Sequence, residues 1–176
     1  MKIGALVLFG ASLIATGASA QGVNDAQIAA IVVTANQVDI DAGQLAASMG
    51  SSSDVKKFGS GMVKDHTGVN KSAVALVTKL KVTPEDNPTA MSLKKGGMEN
   101  VDSLKMLKGH AFDKAYIDHE VAYHEQVIEA MDKTLIPGAK NEELKALLVK
   151  VRPAFVSHLA HAKMIQSKMV SMKTMD

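Results

Sequence analysis

Apolar residues recur at spacings of three and four through nearly the whole chain, and strand-like alternation is rare. That period lines apolar side chains along one face of a helix, so the chain can bury them only by packing helix against helix: the fold class is all-α. A first helix opens with Asn24 and Gln27 in a capping-box arrangement. Its apolar stripe runs Ile28, Ile31, Ala35, Val38, Ala42, Leu45, Met49, and Gly50 with three serines closes it. A second begins near Ser53 and Asp54 and carries Val55, Phe58, Met62, Val69, Ala73, Leu76 and Leu80.

Between Val82 and Gly109 the pattern weakens at Pro84, Pro88 and the Gly96-Gly97 pair, which predicts a crossover with one short helix over Met98 to Leu107. The next long helix is expected from Ala111 to Leu135, along Ile117, Val121, His124, Ile128, Met131 and Leu135, with Pro137 and Gly138 stopping it. The last has Asn141 as cap and Glu142 and Glu143 in its first turn, then Leu144, Leu148, Val151, Phe155, His158, Ala162, Ile165 and Met169. Pro153 inside it should kink the helix and free the carbonyl of Val149. Four long helices, two short connections and one long one predict a four-helix bundle with a single crossover, the connectivity of ferritin-like folds.

The first twenty residues read as a secretory leader: Lys2, an apolar run from Ile3 to Thr16, and Ala18-Ser19-Ala20 as a cleavage site before Gln21. The remainder, 21–176, is expected to be one domain, exported to the periplasm or beyond. No second apolar run is long enough to span a bilayer, so no integral membrane span is expected. Cysteine is absent, which excludes disulfides and thiolate metal sites and leaves His, Asp, Glu and Met as metal ligands. A formal charge of +2, less one when Lys2 is removed, offers nucleic acid nothing to hold. The aromatics Phe58, Phe112, Phe155, Tyr116 and Tyr123 are too few for a base- or sugar-stacking platform.

In three of the predicted helices a histidine stands where the apolar repeat calls for leucine: His66, His124 and His158. An ionisable ring in a helical core costs free energy unless it is hydrogen-bonded or metal-bound. Counted from helix ends at helical rise, Asp39, His66 and His124 fall at one level, about 20 Å from the neighbouring end, while His158 is out of step by roughly 7 Å. A set of Asp39, Asp65, His66, His124 and His158, with Glu120 one turn before His124, would supply nitrogen and oxygen ligands for Zn, Cu, Fe or Ni. The alternative is a structural network in which the same histidines hydrogen-bond to Asp39, Asp65, Glu120 or backbone. The Glu-x-x-His pairs of di-iron bundles are missing, which argues against oxidase chemistry.

Other motifs carry less. His119-Glu120-Val121-Ala122-Tyr123-His124 has one residue too many for a zinc-protease helix, whose two imidazoles must be i, i+4 on one face. His161, on the flank of the last helix, reads as solvated, and Met164, Met169, Met172 and Met175 as adaptable filler, with thioether ligation of Cu(I) as the functional alternative. Gly59, Gly61 and Gly68 crowd the second helix, either for close packing or to leave a local opening.

Met62-Val63-Lys64-Asp65-His66-Thr67, then Gly109 and Phe112-Asp113-Lys114-Ala115-Tyr116, His124, Pro153 and His158-Leu159-Ala160-His161-Ala162, resemble a ferritin-like family of exported bacterial proteins. That family is catalogued as a domain of unknown function and often labelled as outer membrane proteins. The resemblance runs from about Ala26 to Met169 and implies a periplasmic four-helix bundle in which Asp65, His66, His124 and His158 are recurrent polar core residues. Asp39 stands where the family is expected to carry glutamate, and Gly59 where alanine is commoner. The barrel-like alternation that an outer-membrane strand needs is not seen. The expected function is binding of a divalent transition metal at the His/Asp layer for storage, sensing or stress protection. The alternative is a module that docks an envelope protein over a structural histidine network. An enzyme is the third option, and it requires a pocket reaching His66 or His124.

Overall fold

The computed structural model describes residues 22–173, with side chains to Ser171, so the expected leader and Met175 lie outside the described residues. Among the described residues the chain is all-helical: α1 (Asp25–Met49), α2 (Ser53–Leu80), α3 (Pro88–Lys105), α4 (Gly109–Ala130), a π-helical turn (Met131–Leu135), α5 (Ile136–Gly138) and α6 (Glu142–Lys173).

The starts follow local chemistry. Asn24 and Gln27 form the capping box of α1, Ser52 accepts from the backbone N–H of Val55, and Asn141 accepts from those of Glu143 and Leu144. The crossover helix differs from its expectation. It begins at Pro88, ten residues before Met98, because proline suits the first turn, where its missing N–H is no loss, and Asn87 caps Ala90. The Gly96-Gly97 pair lies inside α3 and does not end it. At Gly97 a Cβ would come 2.6 Å from Cγ2 of Val38, so glycine there lets α3 lie close on α1.

Two apolar clusters fill the interior, with a polar layer between them. One joins Ile28, Ile31, Met131, Leu135, Leu148 and Phe155, the other Ala46, Phe58, Met62, Phe112, Tyr116 and Ile165. α1 and α6 run from the first cluster to the second, α2 and α4 the opposite way. α3 is the return stroke along α1 that this order demands, with Ala90 buried at one end and Leu104 at the other.

Carboxylates tie the two ends, one buried and one half-buried. Asp113 accepts from the backbone N–H of Ser51 (2.7 Å) and Ser52 (2.8 Å) and from the Ser51 hydroxyl (2.6 Å), fastening the α1–α2 turn to α4. This accounts for the Phe112-Asp113-x-x-Tyr116 segment, whose three named side chains are all buried. At the other end Asp25 accepts from the backbone N–H of Lys140 and Asn141.

α1 and α2 approach so closely that a Cβ on Gly59 would lie 2.7 Å from both the Ala46 Cβ and the Gly43 carbonyl oxygen, whereas one on Gly61 or Gly68 would meet nothing within 4 Å. The crowded glycines of α2 thus divide into a packing residue and two facing open space. Gly59→Ala is expected to destabilise the protein by about 1–3 kcal/mol through overpacking. Gly61→Ala should stabilise it by up to ~1 kcal/mol through helix propensity. Urea-unfolding midpoints check both, and equal shifts of the two variants would refute the distinction.

Candidate metal centre

The layer between the two clusters holds Asn36 and Asp39 from α1, His66 from α2, Glu120 and His124 from α4, and His158 from α6, all buried. The three imidazoles are packed against one another, with ring centroids 5.7 Å (His66–His124), 5.2 Å (His66–His158) and 5.5 Å (His124–His158) apart. Phe155 covers them from the side of the first cluster, its ring 5.1 Å from that of His66.

His158 therefore stands level with the other two, contrary to the offset expected from the sequence. The helical path after His124 does not stop at Leu135 but continues through the π-helical turn and the three residues of α5. Counting from Leu135 placed the end of that helix too early, and with it the level of His124 relative to His158.

Each ring has one nitrogen tied down. Nδ1 of His66 lies 2.7 Å from Oδ1 of Asn36, whose own Nδ2 donates to the Val32 carbonyl at 2.8 Å. The Asn36 oxygen can only accept, so Nδ1 of His66 carries the proton. Nδ1 of His124 donates to the Glu120 carbonyl at 3.0 Å, and Nε2 of His158 to the Asp65 carboxylate at 3.1 Å. The second nitrogens, Nε2 of His66, Nε2 of His124 and Nδ1 of His158, are buried and have no hydrogen-bond partner. The three side chains can offer one nitrogen each within 4.8 Å of one another.

Burial keeps these rings neutral. It lowers His66 to about 2 and His124 to about 4, with the neighbouring imidazoles adding to the effect, and lowers His158 against the opposing pull of Asp65. Three neutral rings, each with one nitrogen held and one unprotonated lone pair free, thus lie side by side. An ion held at about 2.0–2.1 Å from each nitrogen would draw them to roughly 3.3–3.6 Å apart, a contraction within reach of small χ rotations.

The carboxylates expected as ligands lie behind the rings. Oδ2 of Asp39 is 3.5 Å from Nδ1 of His66, and Oε2 of Glu120 is 3.5 Å from Nδ1 of His124. The groups that accept from the ring N–H and so orient each imidazole, as in metal-binding histidines, are the Asn36 amide oxygen, the Glu120 backbone carbonyl and the Asp65 carboxylate, with the Asp39 and Glu120 carboxyls beside the first two rings. Asp39, Glu120 and His124 also form a second three-atom grouping within 4.8 Å. Burial pushes the Asp39 and Glu120 carboxyls well above the usual range, and Glu120 is raised further by Asp39 beside it. No oxygen of either makes a hydrogen bond within ordinary distance limits. The hydroxyl of Tyr116, raised by burial and then by these two carboxyls, is also without a partner. Asn36 was not foreseen. Its signal in the sequence is weak: an amide one residue after Ala35 of the apolar stripe, beside a second amide at Gln37.

The remaining residues singled out from the sequence are not among the three grouped imidazoles, although Nδ1 of His119 comes within 4.0 Å of Oε1 of Glu120. His119 stacks on Tyr123 at 5.5 Å, and His161 is exposed and meets the edge of Phe58 at 5.2 Å. Met169 is buried in the second cluster and Met164 is half exposed, so the two do not form a thioether site.

The family model described as "Domain of unknown function (DUF4142)" matches residues 11–165. The chain belongs to this family. The matched DUF4142 region includes every residue of the centre, from Asn36 to His158. No curated protein and no solved structure matches the chain.

The protonated carboxyl pair has a measurable consequence. A raised folded pKa means that unfolding releases a proton wherever the exposed carboxyl would be ionised, so its contribution to stability is full below the unfolded value and is lost as pH rises. Glutamine mimics the protonated acid. In metal-free protein the stability of Glu120→Gln relative to wild type should therefore climb from about pH 4.5 upward, by up to ~1.4 kcal/mol per pH unit while the folded carboxyl stays protonated. Urea unfolding at a series of pH values in the presence of a chelator measures it, and a pH-independent difference would contradict the assignment.

Proposed function

We propose that this DUF4142 chain is an exported, ferritin-like four-helix bundle that binds one divalent transition metal through His66, His124 and His158, in storage, sensing or stress protection. The observation that carries the proposal is three buried histidines from three helices, each with one ring nitrogen without a partner, whose side chains can offer one nitrogen apiece within 4.8 Å of one another. A buried acceptor left unpaired costs about 1–3 kcal/mol. A purely structural network would have little reason to leave three of them facing one another. Asn36, the Glu120 backbone carbonyl and Asp65 orient the rings in this reading, and the Asp39 and Glu120 carboxyls offset the charge of the ion by losing their protons when it binds.

Neutral imidazoles suit Zn(II), Cu(II), Ni(II) and Fe(II). Export is supported by the leader read from the sequence. The bundle assignment is supported by α1, α2, α4 and α6 all contributing to the layer, with α3 as the crossover. Among the described residues no helix is long and apolar enough to cross a membrane. The rival reading, a protein-docking module, draws less support. The exposed Met91 and Met98 of α3 share their groove with Lys94, Lys95, Glu99 and Asp102 and form no continuous apolar patch.

Untagged protein purified from its native compartment is expected to carry close to one metal ion per chain by elemental mass spectrometry, and His124→Ala/His158→Ala none. At a free metal concentration of 100 Kd the wild type should gain about 2.7 kcal/mol of stability and the double variant nothing. Wild-type protein that neither retains nor takes up Zn, Cu, Ni or Fe would leave the layer a structural network.

A further inference from the structure

The metal-binding reading requires a way in, and the exposure of the side chains narrows it. His66, His124 and Glu120 are 0% exposed, Asp39 2%, His158 10% and Asp65 49%. Asp65 and His158 are thus where the centre meets water. They line an opening of about 280 Å³ between α2 and α6, together with Lys57, Gly61, Ser157 and His161. A second approach comes from the other side, as a crevice of about 220 Å³ that reaches Asn36 and Phe155 between Val32, Leu93, Val127 and Leu148.

The two approaches differ in what they offer a hydrated ion. The crevice is mostly apolar, and its polar side chains, Asn36, Thr89, Tyr123 and Gln126, include no carboxylate or imidazole, so the cost of stripping water from a divalent ion is not offset by charge there. At the α2–α6 opening the exposed Asp65 carboxylate and His161 ring line the same space as the nearly buried His158, so oxygen and nitrogen donors can replace water before the ion reaches the core. Gly61 keeps this opening wide: it lines the wall, and a Cβ there would meet no atom within 4 Å. The packing demand that explains Gly59 does not apply to it.

We propose that divalent metal enters through the α2–α6 opening, where Asp65 and His161 take the ion from water and deliver it past the His158 ring to the centre that His158 completes with His66 and His124. The proposal rests on the metal-binding reading above. It assigns Gly61 the task of leaving the passage clear, and His161 a role in capture and not in the final coordination. A residue that obstructs the passage without touching the centre must slow entry and exit by the same factor, because the dissociation constant is their ratio.

The test follows cobalt(II) chloride binding to the metal-free protein by its visible absorption in a stopped-flow instrument, and then release into excess chelator. Gly61→Leu fills the opening from a half-buried helical position where an added Cβ meets no atom within 4 Å, and it raises helix propensity, so the variant should fold. It is expected to load and to release cobalt at least tenfold more slowly than wild type, with the same final stoichiometry and a Kd within twofold. Gly61→Ala, which adds only a methyl group to open space, should behave as wild type and show that loss of the glycine is not itself the cause. Wild-type rates in both directions for Gly61→Leu would overturn the entry route while leaving the metal centre intact. Absence of any cobalt spectrum or retained cobalt in the wild type would overturn the metal centre and the route with it.

Discussion

Three imidazoles meet in the interior of this protein with one nitrogen of each held by a hydrogen bond and the other left free, and much of the fold can be understood as the means of keeping them so. A histidine surrounded by leucines would normally be expelled or would find two partners. Here burial holds the rings below their ordinary protonation range, and Asn36, the Glu120 carbonyl and Asp65 each remove one tautomer. What is left is a set of lone pairs with no competing use. Four different helices supply the rings and their partners, so the geometry of the centre depends on the register of the whole assembly.

That register is maintained by contacts distant from the histidines. Gly59 sets how near α2 lies to α1, and Gly97 does the same for α3. Asp113 and Asp25 lock opposite ends through backbone N–H groups, which fixes how far the helices can slide along one another. The π-helical turn at Met131–Leu135 reshapes α4 just beyond His124 while preserving the burial of Met131 and Leu135. Insertions of this kind are frequent at functional sites, and this one lies beneath the crevice that ends at Phe155. The two apolar clusters above and below the layer supply the hydrophobic stabilisation that the layer itself cannot.

Much of this was legible in the residues. The apolar period gave the long helices and the caps Asn24 and Asn141 their places, and substitution of leucine by histidine in three stripes marked the layer. The length of α3 was not legible, because proline and a glycine pair signal a break only until tertiary packing against Val38 is known. The level of His158 was hidden for a related reason: Pro137 looks like a terminator, yet it occupies the first turn of α5, and the helical path runs on to Gly138. The roles of Asp39, Asp65 and Glu120 depend on a few tenths of an ångström and on which ring nitrogen they face, information that spacing along a helix does not contain. Asn36 escaped because an amide beside an apolar stripe is indistinguishable in sequence from one facing solvent.

The most direct measurement is anomalous diffraction at the zinc edge from crystals of the chain grown with zinc. A single anomalous peak at about 2.0–2.1 Å from Nε2 of His66, Nε2 of His124 and Nδ1 of His158, with the carboxylates of Asp39, Asp65 and Glu120 outside bonding distance, is the predicted result. A peak bonded instead to Asp39 and Glu120, or crystals with zinc only at the surface and an ordinary hydrogen-bonded water among the three rings, would contradict it.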